Sequence, residues 1–137
     1  MIPVKRITRK AIKKYGGVLE PADKSKVFTV LCGDKHAAGW RIGYVIIGPD
    51  KVKVLEAHPK SMETFEPVRG TTVLLVAPPK SPDKIEAFLL DCGVVLNKSV
   101  WHGLSVLSEK AEVKVTENFE VESIFHKLKK PLDISFA

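Results

Sequence analysis

A chain of 137 residues, 45% hydrophobic and 28% charged, has the size and balance of one globular domain (residues 1–137) with a core of its own, which excludes global disorder. Its net charge of +6 is dispersed apart from stretches 5–14 and 127–130, and the aromatic residues, 7% of the total, do not interleave with it, so no nucleic-acid partner is expected. There is no apolar run of about 18 residues and no apolar leader, so no membrane association is expected and the cytoplasm is the expected compartment.

In chain order, residues 8–15 read as a short helix. Thr8 can cap it, Ala11, Ile12 and Tyr15 share a face, and Gly16-Gly17 stops it. Strand patterns follow. Val27–Cys32 is a short apolar run, and Trp40–Ile47 is rich in β-branched and aromatic residues up to the turn at Gly48-Pro49-Asp50. Lys51–His58 alternates, with Val52 and Val54 on one face and Lys51 and Lys53 on the other. Thr64–Val68 leads to a turn at Gly70, and Thr71–Ala77 stops at Pro78-Pro79, before a polar loop over 80–84. Segments 86–91, 93–96, 99–107, 112–116 and 119–124 complete the series, and the tail 127–137, Lys-rich and then apolar, is assigned to no element. Many short strands at regular spacing predict an all-β sandwich or barrel with a short N-terminal helix. Cys32 and Cys92 close apolar runs and are expected as small buried hydrophobes; neither has a C-x-x-C partner, which excludes a zinc knuckle. No phosphate loop and no nucleophile elbow occurs.

The alternation that turns Val52 and Val54 inward also turns Glu56 and His58 inward, so an apolar row becomes polar at one end, as the mouth of a barrel requires. Pro59 keeps His58 out of a helix and places it with Glu63 in a strand and its bend. In the second segment Val100, His102, Leu104 and Val106 share a face, with Trp101 opposite. A single inward His is commonly a hydrogen-bonded core residue. Two in separate strands with a nearby Glu make a functional cluster the better reading, because burying polar groups without purpose is costly. Trp101 is either a pocket wall or core, and Glu56 either an inward acid or a rim residue. Arg69, Lys98 and Arg41 are candidate carboxylate anchors or plain surface cations, and His36 and His126 read as surface residues.

His58-x4-Glu63-x6-Gly70 resembles the first cupin motif and Gly93 to His102 the second, with Glu56 where the first His of the pair usually stands. Within the cupins, Glu56-Ala57-His58-Pro59, Thr64-Phe65-Glu66-Pro67-Val68, Val76-Ala77-Pro78-Pro79, Gly93-Val94 and Val100-Trp101-His102 together resemble the ureidoglycolate lyase family, as does the opening from Ile7 to Gly16. Val95-Leu96 and Asn97-Lys98 depart from it, standing where members commonly carry Asn-Tyr and a His or Arg.

The resemblance implies a cupin-type β-barrel (double-stranded β-helix), pairing as a homodimer, that splits ureidoglycolate into glyoxylate and urea. It implies His58, Glu63 and His102 as catalytic residues, with a His as base and Glu63 as acid or orienter. Glu56, Lys98, Arg69 and Trp101 would bind a small carboxylate substrate. The lyase chemistry needs no cofactor; a divalent metal on His58, Glu63 and His102 is the alternative, since two His and one carboxylate are a known ligand set. A metal-dependent isomerase or dioxygenase on a small organic acid or sugar, and a non-catalytic ligand-binding cupin, remain as other readings.

Overall fold

The computed structural model describes residues 1–135; Phe136 and Ala137, the end of the apolar tail, lie outside the described residues. Among the described residues, twelve strands form two sheets, with one short helix between the first two strands. Strand β1 is Ile2–Arg6, helix α1 is Arg9–Ile12, and β2 is Gly16–Val18. Then come β3 (Arg41–Ile47), β4 (Val54–Ala57), β5 (Glu63–Arg69), β6 (Thr72–Ala77), β7 (Glu86–Leu89) and β8 (Val94–Leu96). The chain continues through β9 (Trp101–Val106), β10 (Ala111–Glu117), β11 (Ile124–Lys127) and β12 (Ile134–Ser135). The larger sheet has the order β11-β4-β9-β6-β7-β1-β12 and the smaller one β2-β8-β5-β10-β3. No described helix is long and apolar enough to cross a membrane.

The inner faces of the two sheets meet in one core of Phe65, Leu74, Val76, Phe88, Val94, Leu96, Val113 and Val115, closed at one end by Ile12 and Tyr15. The period-2 pattern explains the membership, since alternate residues of β5, β8 and β10 point inward. The helix begins as expected: the Thr8 hydroxyl accepts a hydrogen bond from the Ala11 amide at 3.0 Å. It is shorter than expected, and Gly16 and Gly17 open β2 instead of only ending the helix, pairing with Leu96 and Val95.

The larger sheet is buried on both faces at its centre, where every residue of β6 is buried. Leu55 and Ala57, on the face that Lys51 and Lys53 share by parity, are fully buried in a second core with Val73, Leu75, Ala87, Trp101 and Leu128. The tail makes this possible. The Leu128 and Leu132 amides donate to Lys53 O and Val52 O at 2.9 and 3.1 Å, and β12 runs parallel to β1. The tail is therefore a cover for the outer face, which period alone could not reveal.

Two strand expectations fail. Val27–Cys32 forms no strand and is exposed, Cys32 included, while Cys92 is only half-buried. A strand exists only with a partner, and among the described residues none pairs with this run. The Phe119–Ile124 segment is a connection until Ile124, where β11 begins against Ala57.

Gly70 illustrates a turn that tolerates one residue type. Its φ is +74°, and a Cβ there would lie 2.2 Å from the Lys110 carbonyl oxygen. Gly70→Ala is expected to lower stability by about 1–3 kcal/mol, read as a shift of the urea midpoint at unchanged slope; an unshifted midpoint would show that the turn relaxes freely.

Candidate active site

The polar residues at one end of the inner core converge from both sheets. In the larger sheet Glu56 on β4 is the cross-strand partner of His102 on β9, and His58 follows directly after β4. In the smaller sheet Glu63 opens β5 and Glu117 closes β10, each one step beyond the paired Thr64 and Thr116. Alternation makes Glu63 continue the inward row of Phe65, and Glu117 that of Val113 and Val115.

Glu63 is the centre of the cluster. One of its oxygens, Oε1, lies 3.1 Å from Nε2 of both His58 and His102. Glu56 Oε1 lies 3.2 Å from His58 Nε2 and 3.6 Å from His102 Nε2. The two imidazoles are 5.0 Å apart, and Phe65 packs edge-on to His102 at 5.4 Å. His58, Glu63 and His102 are all buried, and Glu56 is the exposed member at 37% of its side chain.

Each imidazole is held by its other nitrogen. His102 Nδ1 donates to the Val100 carbonyl at 3.3 Å. His58 Nδ1 donates to the Glu122 carbonyl at 3.3 Å and also contacts Ser123 Oγ at 3.2 Å. The segment expected as a strand, 119–124, is thus irregular where it supplies these partners. With Nδ1–H committed to a carbonyl, both Nε2 atoms turn to the carboxylates.

Three carboxylates around two imidazoles call for positive charge. In the metal-free site, burial works against charging His102, but the Glu56 and Glu63 carboxylates beside its Nε2 outweigh burial and raise its pKa to about 9. His58 is raised for the same reason, mainly by Glu63. Burial opposes ionisation of Glu63, yet the two His hold its pKa down to about 2, and Glu56 is lowered, chiefly by His102. Glu117 is pushed up by burial and by Glu63.

A divalent cation could supply that charge in place of protons, and the residues fit one. Ligand atoms of Glu56, His58 and His102, and of His58, Glu63 and Glu117, lie within 4.8 Å of one another. His58 Nε2, Glu63 Oε1 and Glu117 Oε1 are buried without a hydrogen-bond partner, as unfilled ligand atoms are.

A cavity of about 1000 Å³ opens beside the cluster, lined by Glu56, Glu63 and His102 and walled by Phe65, Leu104 and Val54. Lys51 and Lys53 also border it. Other candidates lie elsewhere. Lys98 pairs with Asp34 at 2.8 Å, and Arg69 is exposed, 3.8 Å from Glu112. Trp101 packs in the second core, on the face of β9 away from His102, its indole donating to the Pro79 carbonyl at 3.0 Å. The substrate-binding roles expected for Lys98, Arg69 and Trp101 thus lack geometric support at this cluster. His126 pairs with Asp83 at 2.9 Å. Leu96, the cross-strand partner of Glu63, puts an apolar side chain beside the central carboxylate, while Val95 turns to the opposite face. The residue that motif reading missed is Glu117. Extending the Val113–Val115 alternation by one step reaches it.

Solved structures share this architecture. An oxalate oxidase in complex with its substrate analogue glycolate is 13% identical, with a TM-score of 0.52 over 88% of this chain and 72% of that one. The oxalate decarboxylase of Bacillus subtilis, which holds Mn(II) centres, is 14% identical, with a TM-score of 0.50 over 66% of this chain and 24% of that one. A cupin 2 domain-containing protein from Halorhodospira halophila is 17% identical, with a TM-score of 0.47 over 64% of this chain and 57% of that one. The chain thus spans little more than half of the last and about a quarter of the decarboxylase. Together with the two-sheet barrel, the oxidase and the decarboxylase give the cupin fold. No curated protein matches the chain. The model of the ureidoglycolate lyase family matches residues 46–128, a span holding Glu56, His58, Glu63, His102 and Glu117, and the chain belongs to that family.

Proposed function

We propose that this protein is an enzyme that cleaves ureidoglycolate to glyoxylate and urea, and that its His–Glu cluster holds a divalent cation while doing so. The observation that carries the reading is the pair of oriented, buried imidazoles sharing Glu63 Oε1 at 3.1 Å beside a cavity open to a small acid. His58, Glu63 and His102 would hold the ion, with Glu56 beside them. Bound there, it would act as a Lewis acid on the substrate's oxygens.

The chain's own residues supply the proton chemistry. No net proton is exchanged in this cleavage: the carbinol hydroxyl loses one and the departing urea nitrogen gains one. A single carboxylate that reaches both atoms suffices. Glu56 suits the task, because it is ionised near neutrality and is the most exposed of the cluster toward the cavity. It takes the hydroxyl proton as the C=O bond forms, and returns it to nitrogen as the C–N bond breaks. Glu63, as a ligand of the ion, is not free to carry the proton. Lys53 at the rim favours approach of a carboxylate, whereas Lys51 beside it is paired with Asp133.

Glyoxylate release from ureidoglycolate, assayed with Mn²⁺ supplied, tests the reading. His102→Ala should lower kcat/KM by about 10²–10⁴-fold, the range for a lost acid–base or ligand function. No release above background by the wild-type protein would sink it. Turnover of oxalate or glycolate instead, with oxygen uptake, would favour a metal-dependent cupin of another activity.

A further inference from the structure

We propose that Glu117 is an additional ligand of the cation and that Arg41 positions its carboxylate for that role, a proposal that depends on the cation reading above. Glu117 closes β10, and its side chain is 8% exposed. Its two oxygens have different fates. Oε2 accepts from Arg41 Nε at 3.0 Å and Nη2 at 2.8 Å. Oε1 is buried, accepts no hydrogen bond, and lies 3.8 Å from His58 Nε2. An ordinary rim ion pair would leave no reason to bury the second oxygen unsatisfied, since that costs about 1–3 kcal/mol or more for a charged group.

Register explains how the oxygen is aimed. Arg41 and Glu117 are cross-strand partners of β3 and β10, so their side chains share a face and the guanidinium reaches the carboxylate from the edge strand. Arg41 is half-exposed, and its charge is spent on Oε2 facing away from the imidazoles. On the other side, Glu117 follows Thr116 as Glu63 precedes Thr64 in the adjoining strand, which sets two carboxylates next to each other. Like charges in such positions repel. A cation between them reverses the sign of that interaction. The donors of His58, Glu63 and Glu117 all lie within 4.8 Å of one another, a separation that one ion with bonds of about 2.0–2.6 Å can bridge.

With His58, His102 and Glu63, this makes two imidazole nitrogens and two carboxylate oxygens available, and leaves Glu56 free to carry the proton. A set this rich in oxygen suits a harder ion such as Mn²⁺ or Fe²⁺ better than a soft one. It also offsets the replacement of a His by Glu at position 56.

Titration of MnCl₂ into chelator-stripped full-length protein, followed by calorimetry, tests the proposal. Glu117→Gln removes the charge at nearly constant size, and Glu117→Asp keeps the charge but withdraws the oxygen. Both should raise the Kd by about 10-fold or more, on the scale of 10–100-fold losses seen for groups supporting a metal site. Both should also alter the EPR zero-field splitting of the bound Mn²⁺. Glu112→Gln, on the same strand but hydrogen-bonded to Tyr44 at 2.9 Å, should change neither. Should the Gln variant not fold, as circular dichroism would show, the Asp variant alone decides. Wild-type Kd in both variants overturns the proposal. A loss confined to Glu117→Gln overturns the ligand role, because charge alone then accounts for it. Failure of wild-type protein to bind Mn²⁺ overturns the cation reading and this proposal with it, whereas binding that survives both substitutions overturns only this proposal.

Discussion

Glu63→Gln is expected to abolish the site while leaving the fold in place. The substitution keeps size and shape but removes the charge shared by both imidazoles at 3.1 Å. Mn²⁺ affinity should fall by at least about 10–100-fold, and turnover by about 10²-fold or more. In metal-free protein the effect has a separate signature. His102 has a pKa raised to about 9 because Glu56 and Glu63 outweigh its burial. With Glu63 neutral, that pKa should fall, as NMR titration of the imidazole would record. Stability follows the same linkage. A His whose folded pKa lies above its unfolded value of about 6.5 stabilises fully below that pH, and the stabilisation fades as pH rises toward about 9. Metal-free wild-type protein should therefore lose stability over that window, and Glu63→Gln should flatten the slope. A His102 pKa unchanged by the substitution would show that Glu56 alone holds the proton.

Phe88→Ala should be among the most destabilising single changes in the core. Phe88 on β7 is fully buried, and Tyr15 meets it edge-on at 6.3 Å between ring centres. Truncation removes the ring and leaves a cavity, at a cost of about 3–5 kcal/mol, out of about 5–15 kcal/mol for a whole domain. Loss of the Tyr15 contact should also loosen the N-terminal segment. The Tyr15 hydroxyl donates to Glu86, which also pairs with Lys5 at 2.6 Å and Lys14 at 2.8 Å, so two anchors of that segment meet on β7. Phe28→Ala is the control. That residue is 80% exposed, and its loss should change stability by no more than about 0.5 kcal/mol. Equal effects in chemical denaturation would contradict the placement of the two rings.

The contrast between Phe88 and Phe28 shows where pattern reading ends. Both stand in short apolar runs. Phe88 has β6 beside it, with Leu74 as its cross-strand partner, whereas the run around Phe28 has no partner strand among the described residues. On β3 the exposed row is Ile42, Tyr44 and Ile46, as apolar as the inward row of Val45 and Ile47. Hydropathy could not say which faced the core. Nor could it say that Leu55 and Ala57 lie beneath the tail, because the cover comes from residues more than 70 positions downstream.

The sequence by itself determined the strand-rich class, the Thr8 cap, the inward rows that carry Glu56, His58 and His102, and the family, because these rest on local period and on motifs within a few residues. Only the tertiary structure decided which of the candidate groups meet. It took Lys98, Arg69 and Trp101 to other partners, brought Glu117 and Arg41 to the cluster, and set Leu96 against Glu63. The reason is physical. A side chain's face follows from its own strand, but its neighbours follow from the register of strands far apart in sequence, and the chemistry of the site lies in those neighbours.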